Sequence, residues 1–355
     1  MSHGLRLARH SAVSTSLALC GDQELRRLVD AAAPLGCGIG GKSALMEVAG
    51  TPVFVKRVPL TDLERRPEHV RSTANLFELP AFLQYGVGAI GSPGFGAWRE
   101  LAVHTMTTNW VLAAECERFP LMHHWRVLPD SAPLPGELAD VDRAVAYWGG
   151  GPQIRRRLDA LQQSSACVAL FLEYIPHNLH QWLGAQAAAG GEALDRACLM
   201  VERELAAGLS FMNDGGLLHF DAHFENILTD GHRLYFADYG LATSSRFSLS
   251  PGEVAFFERH RAYDRCYTAT HLVNWLVTAL FGCAREDLDG RYELVRAFAG
   301  GRRPTGVPVE AVAILTRHAP VAAVVSDFNR TFRRESRHTP YPLEEIHRLG
   351  ASGRG

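Results

Sequence analysis

Lysine is almost missing from this chain. Lys and Arg together number 36, yet only Lys42 and Lys56 are lysines, so arginine carries nearly all the positive charge. The bias reads as a coding preference. Where a lysine survives it, a compact ammonium that a forked guanidinium cannot replace is expected to be needed. An excess of either charge is missing too: a net charge of -2 over 355 residues gives no polyanion-binding surface, so no nucleic-acid partner is expected. Apolar runs break well before about 18 residues, so neither a membrane-spanning helix nor a membrane partner is expected. The opening stretch, Met1 to Cys20, carries Arg6 and Arg9 ahead of a short Ser-rich apolar run. It is too weak for a secretory leader and predicts a loose extension over residues 1–30. The seven cysteines are odd in number and contain no C-x-x-C, which excludes a disulfide framework and predicts reduced thiols in a cytoplasmic setting. No Cys/His spacing predicts zinc.

What is present begins with turn signals. Gly36 to Val58 reads as a glycine-rich turn and a hairpin, its strands Leu45–Val48 and Val53–Val58 flanking Ala49-Gly50-Thr51-Pro52. Residues 61–96 read as a long irregular connection. A helical pattern follows from Ala97 to Arg118, with Glu100 in its first turn. Residues 128–165 look inserted, Pro-rich and then carrying two short helices at 138–148 and 152–163, with Arg155-Arg156-Arg157 expected on a solvated face. Val168–Leu172 is a buried-strand candidate. Helices are expected at Leu194–Asn213, capped by Gly215-Gly216, at Asp264–Phe281, at Tyr292–Ala299 and from Val309 towards Phe332, before a frayed tail at 346–355.

Three segments carry chemistry. Gly36-Cys37-Gly38-Ile39-Gly40-Gly41-Lys42-Ser43 satisfies both G-x-G-x-x-G and G-x-x-x-x-G-K-[ST]. The second pattern must open a helix whose first amides hold phosphates, whereas the first must join two strands. The β-prone sequence after Ser43 favours two strands; a plain turn without ligand stays open. Lys42 is expected at a solvated loop tip. In Val53-Phe54-Val55-Lys56, period-two alternation puts Phe54 and Lys56 on one face of a strand, where a buried ammonium needs an anion. An edge-strand lysine facing water is the alternative. Finally, His219-Phe220-Asp221-Ala222-His223-Phe224-Glu225-Asn226 is followed by Phe236-Ala237-Asp238-Tyr239-Gly240, which sets out a carboxylate, an amide and a second carboxylate in order.

These residues resemble the protein-kinase-like phosphotransferases, whose H-x-D-x-x-x-x-N loop and Asp-x-Gly turn they match. Asp221-Ala222-His223 is similar to aminoglycoside and choline kinase-like enzymes; Asp238-Tyr239-Gly240-Leu241-Ala242 is closer to the serine/threonine protein kinases. The resemblance implies an α+β, two-lobed fold: a small β-rich N-lobe over residues 31–175 with insertions at 61–96 and 128–165, and a helical C-lobe over 176–345. It implies ATP and Mg²⁺ as cofactors, with Asp221 orienting the acceptor hydroxyl and Asn226 and Asp238 holding the metal. Lys56 would hold phosphates and Glu100 would hold Lys56, with Glu64, Glu68, Glu115 and Glu117 as rivals for that place. Gly36, Gly38 and Gly41 would approach the nucleotide, and Glu173 and Ile175 would form its hinge. His219 is expected to hold the loop rather than shuttle protons. Phe54 replaces the family's small alanine, which puts the usual purine fit in question. With no clear Ala-Pro-Glu segment, a small-molecule hydroxyl acceptor is expected; a protein substrate, a pseudokinase binding module and a P-loop hydrolase remain alternatives.

Overall fold

The structure, a computed structural model, describes residues 2–352 except 39, 132 and 285. It is a mixed α+β fold with a small five-stranded antiparallel sheet and an extensive helical part. The chain forms two compact units: Met1–Ile175 with His219–Asp221 and Ala237–Phe257, and Pro176–Leu218 with Ala222–Phe236 and Glu258–Gly355.

In the first unit, α1 (His3–Leu19) and α2 (Asp22–Ala31) precede β1 (Ala33–Gly38), β2 (Gly41–Val48) and β3 (Thr51–Leu60). After the one-turn α3 (Asp62–Arg65) come two 3-10 turns, then α4 (Ala97–Leu112), β4 (Met122–Pro129), α5 (Val141–Tyr147), α6 (Pro152–Gln162) and β5 (Ala166–Glu173). The sheet order is β1-β2-β3-β5-β4, with every neighbouring pair antiparallel. The β2–β3 turn falls at Ala49-Gly50, both left-handed (φ 49° and 70°), as a two-residue hairpin demands.

Helices cover both faces of this sheet. Val53, Val55, Cys167, Ala169 and Phe171 pack with Val13 and Leu17 of α1 and Leu25 and Val29 of α2. Val58, Leu60, Val168, Leu170 and Leu172 pack with Ala97, Trp98 and Leu101 of α4. Burial on both sides explains why β5 reads as an unbroken apolar run rather than an alternating one. The expectation of a loose N-terminus fails here. Val13/Leu17 and Leu25/Val29 are i,i+4 pairs, and each side chain is at most 3% exposed. The inserted helices at 141–147 and 152–162 form as expected, but β4 was not anticipated.

The second unit is mainly helical: α7 (Leu179–Ala189), α8 (Gly191–Asp214), α9 (Pro251–Arg259, which begins in the first unit), α10 (Tyr263–Phe281), α11 (Leu288–Ala299), α12 (Val309–Arg334) and α13 (Leu343–Ser352). The helix predicted at Leu194–Asn213 is α8, and the left-handed Gly216 (φ 72°) follows it. A small antiparallel sheet joins His177–Asn178, Ile227–Thr229 and Leu234–Phe236. By length and composition α12 could cross a membrane; its Ala311, Ile314, Leu315, Ala319 and Ala322 stripe is buried, and it packs with α10 and α11. The frayed tail is corrected in part: α13 runs to Ser352 and buries Ile346, while 353–355 lie outside the described residues.

Candidate active site

Alternation along β3 turns Lys56 to the α4 face, where it is 7% exposed. Placed in the first turn of α4, Glu100 meets it there: Lys56 Nζ lies 2.7 Å from Glu100 Oε1 and 2.7 Å from Asp238 Oδ1. One ammonium therefore bridges two carboxylates brought from a helix and from a turn 182 residues further along the chain. Burial alone would weaken the hold of Lys56 on its proton, but Asp238 and Glu100 outweigh it and keep the ammonium charged. For Asp238, burial pushes upward and Lys56 overcomes it, bringing the carboxyl down to about 2. Its side chain keeps 42% of its surface open, so the attraction of Lys56 rather than sealing sets the direction. Glu100 moves the other way, because burial exceeds the pull of Lys56.

The rivals for Glu100 lie elsewhere. Glu64 is 2% exposed but serves the start of α4: it accepts from the Ala97 amide (2.7 Å) and from Arg157 Nη1 (3.1 Å). Arg157 is thus buried and paired, whereas Arg155 and Arg156 face solvent as expected. Glu117 lies 3.2 Å from His3, and Glu68 and Glu115 are exposed. The residue before Glu100 on α4 is tied elsewhere, because Arg99 Nη2 bonds Glu253 Oε1 at 2.7 Å. Neither Glu64–Arg157 nor Arg99–Glu253 has a sequence signature, since each partner lies far away in the chain.

Asp221 and Asp238 are linked through His219. The Asp221 amide donates to His219 Nδ1 (3.3 Å), so the other ring nitrogen carries the proton and donates to Ala237 O (2.9 Å). His219 holds the loop, as expected. The backbone is strained at both carboxylates: Phe220 (φ 62°), just before Asp221, and Asp238 itself (φ 60°) are left-handed. Asp tolerates this geometry; a buried Phe does not do so without cause, and such strain gathers at working sites. Phe220 is held by stacking on Phe256 at 5.6 Å. Tyr239 sits fully buried between the rings of His104 (4.8 Å) and His219 (5.3 Å). Sequence reading missed His104; the only signal is its i,i+4 spacing from Glu100.

The glycine-rich segment joins β1 to β2 as two strands, and no helix follows Ser43. The glycine requirement falls on the last of the three expected positions, Gly41, and on Gly40 before it, not on Gly36 or Gly38. A Cβ at Gly36 or Gly38 would meet nothing closer than 3.8 Å. At Gly41 (φ 112°) it would lie 2.0 Å from Arg57 O, and at Gly40 2.8 Å from Lys56 Nζ. Lys42 is on β2, not a loop tip, and pairs with Asp130 at 3.2 Å. Ile175 is buried, and Glu173, at the end of β5, is engaged throughout: its carboxylate accepts from Arg6 of α1 (2.6 Å) and the Leu121 amide (3.0 Å), and its own amide donates to Leu121 O (2.8 Å). His123 is 5% exposed beneath α1, its Nδ1 3.0 Å from that of His10. Asn226 belongs to the second unit, in a turn where its amide donates to His223 O at 2.9 Å.

Among the described residues no group of three or more His, Cys, Asp and Glu side chains gathers as a metal site. Mg²⁺ does not require one: it is commonly held by one or two carboxylates together with substrate phosphates. An ionised, partly open Asp238 suits that mode. No family model matches the chain, and no curated protein sequence matches it.

Proposed function

We propose that this chain is an ATP- and Mg²⁺-dependent phosphotransferase of the protein-kinase-like kind, two-lobed, acting on a hydroxyl of a small molecule. The observation that carries the reading is the sealed Lys56 ammonium shared between Glu100 and Asp238. A buried cation with two anionic partners is a costly arrangement for stability alone, and it suits a site that must bind polyphosphate. Lys56 contacts the phosphates, and Glu100 keeps its ammonium aimed. Asp238, with Asn226, holds Mg²⁺, which when bound neutralises charge on the phosphate oxygens. Asp221 orients the acceptor hydroxyl and takes its proton as the oxygen–phosphorus bond forms and the bond to ADP breaks. Catalysis is then positioning and electrostatics, which fits two carboxylates on strained backbone whose loops His219 ties together through main-chain groups.

The test is transfer of label from γ-labelled ATP to a panel of aminocyclitols, sugars and casein, with and without Mg²⁺. Label on a small compound, lost in Asp221→Ala, supports the proposal. Label on casein alone moves the acceptor to protein. Absence of both Mg²⁺-dependent ATP binding and Asp221-dependent turnover overturns it.

A further inference from the structure

The connection between β3 and α4 has a use that neither its length nor its composition announces. Its last part, Tyr85 to Gly96, is rich in glycine and lies against Asp221. A Cβ at Gly86 would come 2.1 Å from Asp221 Oδ1 and 3.3 Å from Phe220 O, so the bare Gly86 backbone rests on the carboxylate. That oxygen is closed to solvent. Tyr85 is packed beside Phe220 and Phe256 (ring centres 6.4 and 5.7 Å away).

The same connection occupies the backbone that follows Asp238. Gln84 donates to Leu241 O, Thr73 Oγ1 accepts from the Ser248 amide at 2.9 Å, and a Cβ at Gly94 would stand 3.3 Å from Gly240 O. An extended peptide is held largely through main-chain groups of its receptor. Here the Leu241 carbonyl and the Ser248 amide are already bonded within the chain. The tip of the segment is anchored in turn by the inserted helices: the Ala89 amide donates to Tyr147 Oη (2.8 Å), and Trp148 Nε1 donates to Gly91 O (3.2 Å).

We infer that residues 82–96 form the wall of the acceptor subsite, with Gly86 setting the space in front of Asp221 so that small hydroxyl compounds are admitted and extended peptides are not. This rests on the phosphotransferase reading. A reacting hydroxyl must come within about 2.6–3.2 Å of the general base, so a backbone already touching one carboxylate oxygen decides how wide an acceptor can be. Water is the smallest acceptor: its oxygen bonds to the γ-phosphorus, the bond to ADP breaks, and the proton goes to Asp221. ATP hydrolysis therefore reports the wall without knowledge of the natural substrate.

The experiment compares Mg²⁺-ATP hydrolysis, labelling of casein and the Mg²⁺-ATP thermal shift in the whole protein and its variants. Gly86→Ala pushes a methyl into Asp221 and is expected to lower kcat by roughly 10²-fold, the effect of displacing a reacting group by about 1 Å. The KM for ATP and the thermal shift should stay unchanged, which a general loss of structure would not allow. Tyr147→Phe removes the anchor of the tip and is expected to raise hydrolysis by up to about fivefold, the worth of one hydrogen bond. Gly136→Ala, whose methyl meets nothing within 4 Å, should match the wild type. Wild-type kcat in Gly86→Ala, an unchanged rate in Tyr147→Phe, or ready labelling of casein by the wild type overturns the wall while leaving the phosphotransferase standing. Loss of the Mg²⁺-ATP shift in the wild type, with hydrolysis indifferent to Asp221→Ala, removes both.

Discussion

The two faces of the five-stranded sheet are built from the same strands and do different work. Towards α1 and α2, β3 and β5 present Val53, Val55, Cys167, Ala169 and Phe171, an apolar contact that can only stabilise. Towards α4 the same strands add Lys56 to the apolar set, and the helix answers with Glu100 and, one turn on, His104. A two-residue period thus separates stability from chemistry along a single strand. One face can be damaged without the other feeling it directly.

That separation can be broken deliberately. Lys56→Met is expected to lower phosphate transfer by roughly 10²–10³-fold, the worth of one preorganised electrostatic contact, measured as kcat with γ-labelled ATP. The melting temperature should change little, because Glu100, already pushed upward by burial, can take a proton when its partner is lost. Leu17→Ala should do the reverse, costing about 3 kcal/mol in urea unfolding while kcat stays at the wild-type value. If Leu17→Ala alters kcat as strongly as Lys56→Met, the two faces are not separate.

Acid should act on both faces at once. His104 on the α4 side and His123 beneath α1 are each held neutral, burial bringing them down to about 3 from an ordinary 6.5. Below pH 6.5 the unfolded chain takes up a proton at each, and the folded chain does not until about 3. Their contribution is therefore complete above 6.5 and is lost as pH falls towards 3, about 2 kcal/mol for each at pH 5. Unfolding curves from pH 7 to pH 5 should show this decline, and His104→Leu should remove about half of it. The smallest effect belongs to the second lysine: Lys42→Ala breaks the partly exposed pair with Asp130 and an exposed hydrogen bond to Ser131 O, and should move stability by less than about 1 kcal/mol. A large loss there would mean that Lys42 does more than neutralise its neighbour.

Local order was legible in the sequence, while encounters between distant segments were not. The Ala49-Gly50 turn, the face of Lys56, the strand after Ser43 and the start of α4 all follow from turn chemistry and period. Glu100 could be preferred over its rivals because it stands in the first turn of a recognisable helix. By contrast, the burial of Arg157 depends on Glu64, 93 residues earlier, and that of Glu173 on Arg6, 167 residues earlier. No window of sequence contains both partners. The Ser-rich α1 showed Val13 and Leu17 only as two apolar residues four apart, and the sheet they cover had not yet been drawn. β4 escaped because His123-His124-Trp125-Arg126 hides its alternation. Gly86 stood among several glycines with no motif to single it out, its importance lying in Asp221, 135 positions on.

The order in which the first unit receives its parts has a consequence for synthesis. Its chain leaves at Ile175 and returns only at His219–Asp221 and Ala237–Phe257. As the polypeptide emerges from the ribosome, the sheet and α1 through α6 are complete while Tyr239 and Asp238 are still unmade. His104 and Lys56 must wait for them, exposed to water or to a chaperone. A gene fragment stopped at codon 175 should therefore yield a sticky, poorly folded product, because Lys56 gains its second carboxylate only once Asp238 has been made.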